Sequence, residues 1–204
     1  SPGSGDITRT QRLVACLAAP VLVAAMACCV VELVMRSDLL APWLFHALGI
    51  DQACPDAGRI HRQVWEHYFA GAPITAPFSD KELAHFRDIQ GMLVLSRWTL
   101  IALIILLMAA WRAAPGLAGR WLAGGAQLTA ATVLALAGLA TQWDLFSRAW
   151  HPVCFARGGW DFTPGRDLIL VLYPGPFLAA HGAAILAVLA ALALTAWVLG
   201  RRLE

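Results

Sequence analysis

Three ionisable side chains of different kinds follow one another at three-residue intervals in the stretch FSDKELAHFRDIQG. Glu82, His85 and Asp88 would share one face of a helix, because residues three apart are neighbours on a helix surface. A histidine oriented by a neighbouring carboxylate is suited to general-base catalysis. Two other interpretations stay open, a solvated helix turn and a metal site of the Glu-x-x-His kind. Carboxylate metal sites in helical bundles repeat that motif on facing helices, and this chain has no second copy.

The chain as a whole is too apolar for a soluble domain. Hydrophobic residues make up 59% of the 204 and charged residues 14%, whereas soluble domains contain about 45–50% and about 25%. Four segments reach the length of about 20 apolar residues that crosses a bilayer. They are 13–35, 92–114, 122–143 and 177–200. We predict an all-α integral membrane protein, a single membrane domain over 1–204, with four transmembrane helices and both ends on one side.

The distribution of charge predicts which side faces outward. The N-terminus, the end of the second span at Arg112, the 115–121 connection and the C-terminus hold six of the fifteen basic residues but only two of the thirteen acidic ones. Basic residues are retained on the cytoplasmic side. We therefore predict cytoplasmic termini and an extracytoplasmic cap formed by the two long loops, 36–91 and 144–176. The overall charge of +2 reflects this topology and gives no indication of nucleic-acid binding.

A second histidine lies in the other long loop, in the segment WHPVCFARGGWDFTPGRDLILVLYPGPF that begins at Trp150. Together with the first loop and the four spans, this layout resembles the bacterial lipoprotein intramolecular transacylase family. The resemblance rests on the order and spacing of short features along nearly the whole chain. These are a histidine followed by Asp-Ile (His85, Asp88, Ile89), an aromatic-His-x-x-x-Phe segment (Trp150, His151, Phe155), a following tryptophan (Trp160), and Asp-Leu-Ile with Pro and Phe at the fourth span (Asp167, Leu168, Ile169, Pro174, Phe177).

The resemblance implies a reaction at the outer face of a bacterial inner membrane. The sn-2 acyl chain of a diacylglyceryl lipoprotein would move to the α-amino group of the same N-terminal cysteine and leave a lyso-form lipoprotein. Lipoprotein and membrane lipids would be the partners, without a cofactor or a metal. The reference pKa is about 8 for an α-amine and about 6.5 for an imidazole, so a neutral histidine can accept the proton that the amine loses. No serine or cysteine nucleophile is required, because holding donor and acceptor together supplies about 7–11 kcal/mol.

Two histidines and a set of supporting residues are the predicted site. His85 and His151 would act as base and as stabiliser of the oxyanion or leaving group. The residues predicted to support the site or bind substrate are Glu32, Asp88, Arg97, Trp150, Phe155, Trp160, Asp167 and Tyr173. A buried Glu32–Arg97 pair and separate snorkelling to the interface are equally compatible with the sequence, and each aromatic residue taken alone also fits an interfacial belt.

The remaining histidines are predicted to have no part in the chemistry. We expect His46, His61 and His67 to lie on the surface, because no similar context surrounds them. His181 lies just inside the fourth span, and we expect it to be packed or hydrogen-bonded there.

The cysteines bear on two further hypotheses. Cys54 and Cys154 lie one in each outer loop, and an oxidising compartment would let them form a disulfide; two unrelated thiols are the alternative. A membrane thiol–quinone oxidoreductase would need a Cys-x-x-Cys pair, which the outer loops lack. A non-catalytic membrane partner or chaperone is the other alternative function.

Overall fold

The chain is helical through most of its length. The computed structural model describes residues 8–37, 39–155 and 159–204. Within these ranges no strand occurs, which confirms the all-α prediction. The helices are α1 (Arg9–Arg36), α2 (Leu40–Ala47), α3 (Ile50–Ala53), α4 (Ala57–Ala70), α5 (Asp80–Ala113), a 3₁₀ turn (Pro115–Leu117), α6 (Ala118–Ala140), α7 (Trp143–Cys154), α8 (Leu168–Leu172) and α9 (Gly175–Leu203).

Four stretches are long and apolar enough to cross a membrane, namely α1, α5, the 3₁₀ turn continued by α6, and α9. They confirm the four predicted spans. α5 begins at Asp80 and contains 34 residues, so it starts twelve residues before the predicted boundary at 92. At about 1.5 Å per residue this helix is about 50 Å long, well beyond a hydrocarbon layer of about 30 Å. The polar stripe is therefore the first three turns of the second transmembrane helix.

The early start of α5 has a local cause. Ser79 and Glu82 form a capping box, in which the Ser79 N–H and hydroxyl donate to the Glu82 carboxylate at 2.7 and 2.8 Å, and the Glu82 N–H donates to the Ser79 hydroxyl at 3.3 Å. This reciprocal arrangement satisfies backbone donors that a helix start leaves without partners. The sequence Ser-x-x-Glu thus fixes the helix start ahead of the apolar run.

Residue contacts group the described chain into two compact units. The span unit comprises 8–31, 97–138 and 186–204. The cap unit comprises 32–37, 39–96, 139–155 and 159–185, and so contains the described parts of both predicted loops. The single domain over 1–204 stays a prediction, and its first seven residues lie outside the described ones.

Small residues determine the packing of the span unit. A Cβ atom at Gly119 would lie 2.7 Å from the Gly200 carbonyl oxygen, and one at Gly125 would lie 2.8 Å from Leu22 Cδ2. Real Cβ atoms do not come this close to a backbone oxygen, so α6 contacts α9 at a distance that only glycine allows. At Gly125 a larger residue would have to displace the Leu22 side chain of α1. Close approach through small residues is the usual means of helix association in membranes.

The cap unit has a hydrophobic core of its own. Its buried side chains come from both predicted loops: Ala41, Leu44, Phe45, Ile50, Ala57, Ile60, Val64, Ala76, Phe78, Phe86, Ile169, Leu172 and Phe177. Gly71, with φ of 69°, ends α4 in the left-handed conformation that glycine adopts readily. The amide oxygen of Gln63 accepts from the Thr75 and Ala76 N–H groups at 2.9 and 3.0 Å, which fastens the segment after α4 to that helix.

Candidate active site

One cavity of about 440 Å³ lies in the cap unit, and four histidines line it: His61, His85, His151 and His181. Most of the other lining side chains are apolar or aromatic, among them Val64, Phe86 and Leu170. The lining draws on residues from α1 to α9, so it forms only when the two loops fold against each other.

The two histidines predicted to be catalytic meet at one phenylalanine. The ring centre of Phe155 lies 4.4 Å from that of His85 and 5.6 Å from that of His151, with the second pair stacked. Trp160 also contacts His151, with ring centres 4.9 Å apart. His85 is 8% exposed, and its buried Nδ1 has no hydrogen-bond partner among the described residues. Buried polar atoms usually have partners, so this nitrogen is a candidate contact for substrate.

Glu82 holds the start of α5, and hence His85, against the second loop. Besides the capping box, its other carboxylate oxygen accepts from the Ile169 N–H at 2.7 Å, at the start of α8. The side chain is 2% exposed. Glu82 is therefore a buried link between the loops, and the solvated-turn interpretation is wrong for this residue. Among the described residues no group of three or more His, Cys, Asp or Glu is arranged to hold a metal ion.

Lys81 forms a second link from the same turn of α5. Its ammonium group donates to the Asp161 carbonyl oxygen and lies 5.0 Å from the ring centre of Phe162. Phe162 in turn packs edge-on against His85, with ring centres 5.2 Å apart. Two consecutive residues of α5 thus bind the second loop at two points, Asp161 and Ile169, which both follow His151 in the sequence.

His151 is in the last turn of α7, and Phe155 follows directly after that helix. The Phe155 N–H donates to the His151 carbonyl oxygen at 2.7 Å, which fixes the spacing between the two rings. The aromatic-His-x-x-x-Phe segment is therefore a helix end that presents His151 and Phe155 on one side. Trp150, the aromatic residue of that segment, is 46% exposed and is not part of the cavity lining.

His61 and Tyr173 form a hydrogen-bonded pair in the same cavity. His61 Nδ1 lies 3.0 Å from the Tyr173 hydroxyl, and the His61 ring meets Phe45 edge-on at 5.3 Å. The prediction that His61 lies on the surface is wrong, because its partners come from α2 and from a segment 112 residues away. Tyr68 also lines the cavity. Burial raises the pKa of the Tyr68 hydroxyl, with a smaller contribution from Tyr173, so Tyr68 stays a protonated donor at neutral pH.

The other histidines are explained by local contacts. His181 Nδ1 donates to the Phe177 carbonyl oxygen at 3.1 Å and its ring stacks on Phe177, so the packed and hydrogen-bonded role is confirmed, although the residue also lines the cavity. The His46 side chain is 85% exposed beside Asp51, as predicted. His67 is only half-buried, and its Nδ1 donates to the Ala72 carbonyl oxygen at 3.0 Å.

The carboxylates predicted to support the site have distinct positions. Asp167 is buried and accepts from the Thr163 N–H at 2.6 Å, closing the turn that precedes α8. Glu32 is buried and accepts from Arg36 at 3.1 Å, while Arg97 is half-buried and belongs to the span unit. A Glu32–Arg97 pair stays a prediction. Asp88 is half-buried, one turn beyond His85 on α5.

Cys54 and Cys154 are free thiols, each partly buried. The hypothesised disulfide is not formed in this structure. Burial raises the pKa of the Cys154 thiol, which disfavours the thiolate that redox exchange requires.

Comparison with known proteins identifies the fold and the family. The family model described as lipoprotein intramolecular transacylase Lit matches residues 62–178. The chain belongs to this family. The matched range contains His85, His151, Phe155 and Trp160, and the family name describes an acyltransferase that acts on lipoproteins. The enzyme predicted from the sequence is thus confirmed, and neither a non-catalytic partner nor a thiol–quinone oxidoreductase is supported.

Solved structures show the same four-span fold. The membrane integral lipoprotein intramolecular transacylase Lit from Bacillus cereus is 19% identical, with a TM-score of 0.85 over 95% of each chain. Two forms of that protein with a substituted histidine, to arginine and to alanine, are each 17% identical with TM-scores of 0.80, over 95% of this chain and 92% and 93% of theirs. No match was found among curated proteins.

Proposed function

We propose that this transacylase moves the sn-2 acyl chain of a diacylglyceryl lipoprotein to the α-amino group of the same N-terminal cysteine. The amine nitrogen attacks the ester carbonyl, the new C–N bond forms, and the C–O bond to the glyceryl oxygen breaks. The proton lost by nitrogen ends on that oxygen. All atoms of the N-acylated lyso-form product are present in the substrate, so no co-reactant is needed.

The observation that carries this proposal is the meeting of His85 and His151 at one cavity wall. They come from different loops, 66 positions apart in the sequence, and both contact Phe155. Aminolysis of an ester requires proton removal from the amine and proton delivery to the leaving oxygen. Two imidazoles facing one cavity supply an acceptor and a donor for those transfers, each typically contributing about 10²–10⁴-fold.

The cavity also suits the substrate in its polarity. Aliphatic and aromatic side chains such as Val64, Phe86 and Leu170 line most of it, which fits an acyl chain and keeps water from the ester. Excluding water favours transfer to the amine over hydrolysis. Because amine and ester belong to one lipid-bearing cysteine, confinement in reacting geometry replaces an enzyme-bound acyl intermediate.

We further propose that the cap unit faces the outside of the bacterial inner membrane, where lipoproteins expose their N-terminal cysteine. The charge distribution supports this orientation. Reporter fusions after Gly91 and within 144–176 should read as extracytoplasmic, and fusions near Pro115 and at the C-terminus as cytoplasmic. An extracytoplasmic signal at Pro115 would contradict the orientation without affecting the chemistry.

The reaction itself is tested with a diacylated lipopeptide added to membranes from a host that lacks such an enzyme. Membranes in which this protein is expressed are compared with membranes in which it is not. Intramolecular transfer leaves the mass unchanged, so the readouts are loss of the free α-amine and tandem mass fragments with an amide-linked acyl chain. Mixing substrates with light and isotopically labelled acyl chains should give no crossed product. Crossed products, or a mass increase of one acyl chain, would show transfer between molecules and contradict the proposal.

A further inference from the structure

The span unit contains a second cavity, a cleft of about 600 Å³ between α1 and the start of α6. Arg12 from α1 and Arg120 from α6 line it, together with Trp121. The rest of the lining is small or apolar, as at Ala15 and Leu117. The candidate active site lies in the cap unit, so this cleft is a separate feature.

Among the described residues, the two arginines of the cleft lack the carboxylate partner that three other arginines have. Arg36, Arg59 and Arg201 each bind a carboxylate at 2.8–3.1 Å. Arg12 and Arg120 are exposed, and among the described residues neither has an acidic partner; no acidic residue lines the cleft. Two guanidinium groups from different helices therefore converge on one cleft, and no acidic side chain of the described residues lines it.

Trp121 adds an unsatisfied donor to the same lining. The residue is 5% exposed, and its indole N–H has no acceptor within the part of the chain that the structure describes. A buried donor without a partner is uncommon and costly. An oxygen-rich anion in the cleft would supply the acceptor.

The cleft lies at the first turns of two helices that could cross the membrane. Arg12 and Arg120 are in the first turns of α1 and α6, two helices that are long enough to cross the membrane. Deeper along the same pair, Gly125 packs against Ala19 and Leu22, so the helices close together and the cleft ends there. A cavity that is basic at the membrane surface and apolar below it matches the polarity of a phospholipid.

We propose that this cleft binds the phosphate-bearing head group of an anionic phospholipid. The guanidinium groups of Arg12 and Arg120 contact the phosphate oxygens, for which the planar fork of arginine is well suited, while the acyl chains follow the apolar walls. Basic pockets between transmembrane helices on the cytoplasmic side commonly bind lipid head groups. The site is independent of the proposed acyl transfer.

The test compares thermal unfolding of the purified protein in a neutral detergent with added phosphatidylglycerol or phosphatidylcholine of the same chain length. We expect phosphatidylglycerol to raise Tm by about 2–4 °C beyond phosphatidylcholine. The double variant Arg12→Gln/Arg120→Gln should lose this difference. Arg202→Gln, which removes an exposed arginine outside the cleft lining, should retain it. An undiminished shift in the double variant would overturn the proposal.

Two further measurements distinguish the source of the phosphate and guard against a misfolded variant. Inorganic phosphate at the same concentration should leave Tm unchanged; an equal rise that the double variant loses would assign the cleft to free phosphate and overturn the lipid proposal. Native mass spectrometry of the unaltered protein with an equimolar mixture of the two lipids should show preferential retention of phosphatidylglycerol. Equal retention would also overturn it.

Discussion

The cap unit and the span unit are stabilised by different interactions. Of the five buried polar or charged side chains among the described residues, Glu32, Glu82, His85 and Asp167 lie in the cap unit, and Thr129 alone lies in the span unit. The Thr129 hydroxyl donates to the carbonyl oxygen four residues earlier in its own helix. In the cap the buried Glu82 carboxylate connects distant parts of the chain, whereas in the spans the buried Thr129 hydroxyl serves one helix.

The difference follows from the solvent that each unit faces. Between helices in hydrocarbon, apolar burial provides no driving force, so close packing of small residues such as Gly119 and Gly200 holds them together. In the cap, loops without regular structure must satisfy their backbone N–H groups. Glu82 and Asp167 do so for Ser79, Ile169 and Thr163.

The candidate catalytic residues also lie in only one of the two units. Both candidate catalytic histidines and all the aromatic residues that hold them are in the cap unit. Substitutions in the cap should therefore divide into those that stop the reaction and those that unfold the loops. Substitutions in the spans, other than at the predicted supporting residue Arg97, should change stability alone.

The largest expected effect is loss of either histidine. His85→Ala and His151→Ala should each lower formation of N-acylated lyso-lipoprotein by about 100-fold or more, because each removes a proton acceptor or donor. Tm should change little, and amide-linked fragments in tandem mass spectra measure the product. His46→Ala, which removes an exposed imidazole, is the matched control. Full activity in both single variants would end the two-histidine mechanism.

Glu82→Ala should have the next largest effect, on stability. It removes charge-assisted hydrogen bonds worth about 1.5–3 kcal/mol each and leaves the Ile169 N–H buried without an acceptor. We expect Tm to fall by roughly 4–10 °C, with activity falling as His85 loses its fixed position. Asp80→Ala is the control, since Asp80 is exposed in the same helical turn. An unchanged Tm together with inactivation of the unaltered protein by chelators would instead favour a metal site.

Gly200→Ala should destabilise the span unit more moderately. The added Cβ would lie 2.8 Å from both the Ala123 nitrogen and the Gly119 carbonyl oxygen, and such overpacking costs about 1–3 kcal/mol. Activity per folded molecule should be unchanged. At Gly138 a Cβ meets nothing within 4 Å, so Gly138→Ala should leave Tm the same or slightly higher. A selective loss of activity in Gly200→Ala would show that the spans take part in the chemistry.

The sequence was sufficient for those parts of this architecture that depend on local patterns. Apolar runs give the four spans because crossing hydrocarbon is a requirement of length and composition. The spacing of His85, His151, Phe155 and Trp160 within the loops was enough to indicate the family. The early start of α5 also has a local cause in the sequence, the capping box formed by Ser79 and Glu82.

Contacts between distant segments could not be predicted in this way. Glu82 accepts from a residue 87 positions away and His61 pairs with one 112 positions away. Helical periodicity predicts which side chains share a helix face. It does not predict which residues of another loop will contact that face. Glu82, which shares a helix face with His85, therefore proved to be a link between the loops. His61, for which the sequence indicated no function, proved to line the cavity.

Asp88→Asn should have the smallest effect. It tests the role of the third residue of the polar stripe. The sequence suggested that this carboxylate orients His85, but Nδ1 of His85 has no hydrogen-bond partner among the described residues, so we propose that Asp88 acts through its charge. From one turn away it would stabilise the imidazolium that forms when His85 accepts a proton in the proposed mechanism. We expect activity to fall about three- to tenfold, and salt to narrow the gap between Asp88→Asn and the unaltered protein because Asp88 is only half-buried. Asp80→Asn, on the same helix, should have no such effect. A loss as large as that of His85→Ala, insensitive to salt, would mean that Asp88 itself takes part in proton transfer.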